Sequence, residues 1–92
     1  MNNEEAKLII NVPEMPSGNI PVLHAARIMG KDQMFIRESM KRGLLDLGLC
    51  FKKENSNHYD FYISPLKLYL LTGYIYKGYD EEQRLLEESK RK

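Results

Sequence analysis

The stretch from Pro21 to Gly43 constrains the fold more than any other part of the chain, because its pattern predicts two short helices joined by a tight turn. The first helix is predicted over 21–29, with Pro21 at the first helical position, where no amide donor is needed. Its apolar face recurs at helical spacing and consists of Val22, Ala25, Ala26 and Met29. The two alanines leave room for a second helix to pack closely.

The second helix is predicted over 32–42, after a turn at Gly30. Asp32 is a suitable N-cap, and Gly43 ends the helix. Ile36 and Met40 are one turn apart and face inward, and Phe35 is also expected in the core. The outward positions are Gln33, Met34, Arg37, Glu38 and Lys41. Two helices in this arrangement are the outline of a helix-turn-helix, whose second helix enters the major groove of DNA.

A β-hairpin is predicted directly after the second helix. Residues 49–53 and 59–63 alternate with the two-residue period of strands, and the polar loop 54–58 joins them. Tyr59, Tyr62 and Tyr69 could stack on nucleobases, but packing within the hairpin and the next helix is the preferred interpretation. Ser64-Pro65 then predicts a third helix that ends at Thr72-Gly73 and completes the core against the first helix.

The expected fold class is mainly α with a β-hairpin, a winged helix-turn-helix, in a chain of 92 residues. Residues 1–19 are predicted to form a partly disordered arm, residues 20–79 the folded domain, and residues 80–92 a charged C-terminal helix or tail. Asp80 and Gln83 suggest a capping box for this last helix. Its main apolar residues are Leu85 and Leu86, so a solvated or frayed helix is favoured over an oligomer contact.

Composition argues against several other classes of protein. The longest apolar runs fall short of the roughly 20 residues that span a bilayer, and the N-terminus lacks a secretory signal, so we expect no membrane segment and a cytoplasmic location. Cys50 in a strand and His24 on a helix are interpreted as structural residues. Because no phosphate loop, metal cluster or nucleophile elbow is visible, we expect no enzyme, no catalytic residue, no metal and no cofactor.

Charge is unevenly distributed although the net charge is only +1. Residues 31–53 hold six basic side chains against three acidic ones; the basic ones are Lys31, Arg37, Lys41, Arg42, Lys52 and Lys53. A basic central segment between mildly acidic ends is typical of a nucleic-acid footprint, and solvated lysines would give the same tally.

Residues 20–73 resemble the winged helix-turn-helix domains of the MerR type, and more closely the small excisionase-like DNA-binding proteins of phages and integrative elements in Gram-positive bacteria. The resemblance rests on the runs IPVLHAARIMG, QMFIRESMKRGLLDLG and FYISPLKLYLLTG. The chain departs from the family at Pro21 and at Asp32-Gln33, where members commonly have a Ser or Thr cap and Ser-Pro.

The resemblance implies sequence-specific binding of double-stranded DNA by an excisionase-like, transfer-accessory or transcription-regulatory factor of a mobile element. It also implies a cooperative array on DNA and DNA bending. Because a domain this small offers limited base contact, we expect a homodimer or several copies on repeated sites, and an integrase or recombinase is a candidate partner. The alternative is a protein-interaction module that contacts an integrase, a polymerase or itself through Leu85 and Leu86. A basic second helix in the folded protein would favour DNA, and an apolar patch on the third helix or tail would favour protein.

The candidate DNA-binding residues lie on the second helix and the hairpin. Gln33 and Arg37 are placed for base edges or nearby phosphates, with Met34 and Glu38 on the same face. For Met34 and Phe35, the alternative to packing in the core is contact with a thymine methyl group. Phosphate contacts are expected from Lys31, Lys41 and Arg42, and backbone or minor-groove contacts from Lys52, Lys53, Asn55, Asn57 and His58.

Overall fold

The computed structural model describes residues 12–90 of the chain. Within that range it contains four helices and one two-stranded antiparallel sheet, a mixed α/β arrangement that agrees with the predicted helices and hairpin. The predicted arm lies largely outside this range, up to residue 11. In chain order the elements are α1 (Val22–Met29), α2 (Gln33–Lys41), β1 (Gly48–Lys52), β2 (Tyr59–Ile63), α3 (Pro65–Thr72) and α4 (Tyr79–Ser89).

The ends of α1 and α2 follow from local chemistry. Pro21 precedes α1 as its N-cap with ψ of 145°, so its predicted place inside the first turn is wrong by one residue. Its carbonyl still accepts a hydrogen bond from the amide of Ala25 at 3.1 Å. Gly30, with φ of 69°, ends α1 in the left-handed conformation that glycine adopts without strain. The predicted Asp32 cap is confirmed, because Oδ1 accepts from the amide of Phe35 at 2.7 Å.

The hairpin pairs Gly48 with Ile63 at one end and Lys52 with Tyr59 at the other. The predicted bounds of β2 are confirmed, and β1 lies one residue earlier than the predicted 49–53. A Cβ atom at Gly48 would overlap the carbonyl oxygen of Tyr62, so only glycine fits where β1 begins. The segment before α1 fastens the hairpin to the core. The amide of Ile20 donates to the Ile63 carbonyl at 3.0 Å, and the amide of Ile63 donates to Asn19 Oδ1 at 2.8 Å.

The core lies where α1, α2, β2 and α3 meet. Its buried apolar side chains are Ile20, Ala25, Ala26, Ile36, Met40, Leu47, Ile63, Leu68 and Tyr76. The predicted inward residues of α1 and α2 are therefore confirmed, but the prediction that Phe35 is in the core is wrong, since it is 42% exposed. Ile36 and Met40 form the stripe that is buried, which leaves Phe35 at the edge of the helix.

Helix α3 has the predicted cap and bounds. Ser64 Oγ accepts from the amide of Lys67 at 3.2 Å, and Pro65 occupies the first turn. Its contribution to the core is smaller than predicted, because Pro65 and Leu68 are its only buried residues in the described part of the chain. Leu66, Leu70 and Leu71 are exposed.

Helix α4 differs from its prediction in two ways. The capping box is wrong, because Gly78 is the N-cap and no side chain caps the helix, while Gln83 hydrogen-bonds His24 on α1. A solvated or frayed helix is wrong as well, since Glu82 and Leu86 are buried. Among residues 12–90 no helix is long and apolar enough to cross a membrane.

Candidate nucleic-acid interface

The outer side of α2 carries Met34, Arg37, Glu38 and Lys41, which follow the i, i+3, i+4, i+7 spacing of a single helical stripe. On the opposite side, Ile36 and Met40 are buried in the core and fix the orientation of the helix. Met34 is 70% exposed. Arg37 and Lys41 are exposed as well, as predicted, whereas Gln33 and Glu38, which were also predicted to face outward, are half-buried.

Arg37 and Gln33 form a pair one turn apart on α2. An Arg37 guanidinium nitrogen donates to Gln33 Oε1 at 2.9 Å, which uses one of the five donors of that group. No carboxylate within residues 12–90 forms an ion pair with Arg37. The remaining donors are therefore free for an external acceptor, and Gln33 steadies the side chain that carries them.

Lys41 connects α2 to the hairpin. Its Nζ lies 3.0 Å from Glu38 Oε2 and 4.6 Å from the centre of the Tyr59 ring, at the start of β2. Tyr59 makes this contact with 36% of the residue exposed, and Tyr62 is 41% exposed, so the predicted packing of these tyrosines within the hairpin is met only in part. The sequence did not indicate this contact, which places the C-terminal end of α2 beside the hairpin.

The hairpin loop presents its polar residues to solvent. The amide of Lys53 donates to the His58 carbonyl at 2.9 Å and closes the loop, and Asn55 adopts φ of 59°, a conformation that asparagine tolerates. Lys53 is also 3.5 Å from Asp60 in an exposed ion pair. The predicted hairpin residues are all exposed: Lys52, Lys53, Asn55, Asn57 and His58. The structure therefore groups them at one end of the sheet.

An apolar strip flanks the outer stripe of α2. Met34, Phe35 and Leu44 line a shallow groove, whose polar lining residues are Asp32, Glu38, Ser39 and Arg42. Leu44 is 77% exposed, although its place in the run Leu44-Leu45 resembles a core segment. Sequence reasoning missed Leu44, since a short apolar run does not show which member is buried. Lys31 borders the strip, with Nζ 5.3 Å from the centre of the Phe35 ring.

Cations on this surface divide into paired and free groups. Lys41 and Lys53 are paired with Glu38 and Asp60. Exposed pairs of this kind contribute little to stability, so a phosphate can replace the carboxylate. The other predicted cations form no ion pair within residues 12–90; they are Lys31, Arg37, Arg42 and Lys52.

The two residues interpreted as structural have partners that fit that role. Burial raises the pKa of the Cys50 thiol, with Lys41 opposing, so the thiol stays protonated and Cys50 packs against the core. His24 is buried, with Nδ1 2.8 Å from the Tyr76 hydroxyl and Nε2 2.8 Å from Gln83 Oε1. No group of three or more potential metal ligands occurs within residues 12–90.

Helices α1 and α4, which the hydrogen bond between His24 and Gln83 joins, are also connected by an ion pair. Arg27 on α1 pairs with the fully buried carboxylate of Glu82 on α4, which also accepts from the Tyr74 hydroxyl and the amide of Lys77. Burial lowers the pKa of Arg27, but hydrogen bonds to Tyr74 and Glu82 raise it by more. With His24, Tyr76 and Gln83 these residues form what we name the α1–α4 polar cluster. It joins α1 to α4, and α1 in turn packs against α2.

Because Tyr76 is part of this cluster, we expect the free energy of unfolding to fall at alkaline pH. Burial, followed by the charge of Glu82, raises the pKa of Tyr76 to about 12, from an ordinary value of 10.0. Since the folded pKa is higher than the unfolded one, this contribution is complete below about pH 10 and is lost as the pH rises toward 12. Urea unfolding at increasing pH should show the decline, and Tyr76→Phe should reduce it. An identical decline in both proteins would contradict the assignment.

We compared the chain with known protein families, curated proteins and solved structures. No family model, no curated protein and no solved structure matches the chain.

Proposed function

We propose that this chain binds double-stranded DNA sequence-specifically through a winged helix-turn-helix. In this proposal α1 and α2 are the helix-turn-helix, α2 is the recognition helix, and the hairpin is the wing. The observation that carries the proposal is the outer stripe of α2 lying beside the hairpin, where Lys41 contacts Tyr59. Helix and hairpin together give one surface that can follow a groove and the adjacent backbone.

Chemistry assigns different tasks to different parts of this surface. Arg37, whose donors are free, suits the N7 and O6 acceptors of guanine, and Gln33 holds it in place or contacts a neighbouring base. Lys31, Arg42 and Lys52 are exposed cations that suit phosphates, which fix orientation without reading sequence. Glu38, neutralised by Lys41, can accept from a cytosine amino group.

The biological role rests on the resemblance to the excisionase-like and MerR-type proteins. It makes the chain an excision, transfer-accessory or transcription-regulatory factor of a mobile element that works in the cytoplasm. A single domain of this size contacts few base pairs, so we propose a homodimer or a cooperative array on repeated sites, with an integrase or recombinase as partner.

Binding to DNA at several salt concentrations tests the proposal. Purified protein is titrated into a fluorescent duplex from its own upstream region and into a random duplex of equal length. We expect tighter binding to the upstream duplex, and affinity for both that falls steeply as salt increases, because phosphate contacts release counterions. Equal, weak binding to both duplexes at low salt would contradict sequence-specific recognition.

A protein-interaction module is the second candidate, and the exposed leucines of α3 favour it. Leu66, Leu70 and Leu71 are exposed, and Leu66 adds to a cleft of about 300 Å³ beside Tyr62 and Met15. Self-contact through Leu85 and Leu86 is not supported, since Leu86 is buried against the domain. The apolar face of α3 is therefore the surface that this candidate would use, leaving α2 free.

A further inference from the structure

We propose that Met34 is a specificity-determining residue that reads the 5-methyl group of thymine in the major groove. This inference rests on the proposed DNA binding and adds which base pair is preferred beside the contact of Arg37. It starts from the strip of Met34, Phe35 and Leu44, which stays exposed although each side chain is large and apolar.

The exposed side chain of Met34 lies on the surface of α2 that is proposed to contact DNA. The residue is 70% exposed and lies three positions before Arg37, so both side chains project from the same stripe of α2. A helix that binds only phosphates and polar base edges gains nothing from an apolar side chain at this place. Whatever covers Met34 must therefore present an apolar group.

The charged side chains around the strip include two cations without an ion-pair partner in the described chain. Lys31 contacts the Phe35 ring at one side and Arg42 lines the groove at the other, together with the carboxylates of Asp32 and Glu38. Those carboxylates already have partners, since Asp32 accepts from the amide of Phe35 and Glu38 pairs with Lys41. Lys31 and Arg42 are exposed and form no ion pair within residues 12–90. A partner that complements Lys31 and Arg42 carries anionic groups, and one that covers Met34 carries an apolar group; duplex DNA offers both in its phosphates and thymine methyl groups. The thymine methyl is the one apolar group that unmodified duplex DNA displays in its major groove.

Spacing fixes where that thymine lies. Residues three positions apart on a helix have Cβ atoms roughly 5–6 Å apart, and successive base pairs rise about 3.4 Å. If Arg37 contacts a guanine, Met34 reaches a thymine one or two base-pair steps away. The site should therefore contain a guanine and an A·T pair in fixed register.

Removing the methyl group from DNA tests the inference with few other changes. A tight-binding duplex is recovered by selection from a random pool and remade with dU replacing each dT in turn. We expect wild-type protein to lose about fourfold in affinity at the contacted position, the value of one buried methyl group. Met34→Ala should bind the dT and dU duplexes equally, and Leu71→Ala, which removes an exposed leucine from α3, should still discriminate between them.

The outcomes separate this inference from the function on which it rests. A selected duplex that wild type binds equally with dT or dU at every position would overturn the methyl contact and leave DNA binding intact. Discrimination that persists in Met34→Ala would overturn the role of Met34, since the preference would then come from DNA shape or another residue. A selection that enriches no duplex would overturn the proposed function and the inference together.

Discussion

Arg27→Met should lower the free energy of unfolding by about 3 kcal/mol, because it leaves the carboxylate of Glu82 buried without its cation. Glu82 is fully buried and, among residues 12–90, would keep only the Tyr74 hydroxyl and the Lys77 amide as donors. Methionine retains most of the apolar stem of arginine, so the substitution isolates the charge. Urea denaturation followed by circular dichroism at neutral pH measures the loss.

Two further variants make this prediction specific. Arg84→Met removes an arginine from α4 that pairs with Glu81 and Glu88 in solvent, and it should shift the urea midpoint far less. Adding Glu82→Gln to Arg27→Met should recover part of the lost stability, since the unpaired charge is then gone. If Arg27→Met and Arg84→Met shift the midpoint equally, the buried pair does not hold α4 on α1.

Arg37→Ala should reduce affinity for the selected duplex by about 10- to 100-fold, the range expected when a bidentate contact to a base is lost. The change should be smaller on random duplex, because that binding depends on several cations. Arg37 lies outside the core and pairs only with Gln33 among the described side chains, so its removal should leave folding unchanged. Fluorescence anisotropy with both duplexes measures the two affinities.

The matched control is Arg84→Ala, which deletes the same charge from α4. We expect it to bind the selected duplex nearly as wild type does, apart from a small effect of net charge. An equal loss for Arg37→Ala and Arg84→Ala would show that only overall charge matters. An equal loss for Arg37→Ala on selected and random duplexes would make Arg37 a phosphate contact and not a reader of bases.

Stability and binding are connected through α1. One face of this helix packs against α2, and its His24 and Arg27 bind residues of α4. The α1–α4 polar cluster therefore contributes to the position of α1, against which α2 packs. Variants that weaken the cluster should lower affinity only under conditions where the domain begins to unfold, which separates them from Arg37→Ala.

Local signals in the sequence were sufficient for most of the elements. Asp32 and Ser64 cap their helices because their side chains accept from amides three residues on. The alternation across 49–53 and 59–63 gave the hairpin, and the spacing of Ile36 and Met40 gave the inward side of α2. These features depend on neighbours within one turn or one strand pair.

Features that depend on distant residues could not be found this way. Arg27 and Glu82 are separated by 55 positions, and no spacing rule links an arginine to a glutamate so far along the chain. For the same reason Gln83 resembled half of a capping box, although it bonds His24. Phe35 looked like a core residue by its type alone, whereas packing of the adjacent Ile36 decides which side of α2 is buried.

Amide chemical shifts of the labelled protein during titration with the selected duplex test the central claim most directly. We expect the largest changes to map to α2 and to the hairpin loop around Asn55 and Asn57, with α3 and α4 little affected. Changes concentrated on Leu66, Leu70 and Leu71, or no changes at all, would contradict the claim. The first of those results would move the protein-interaction candidate to first place.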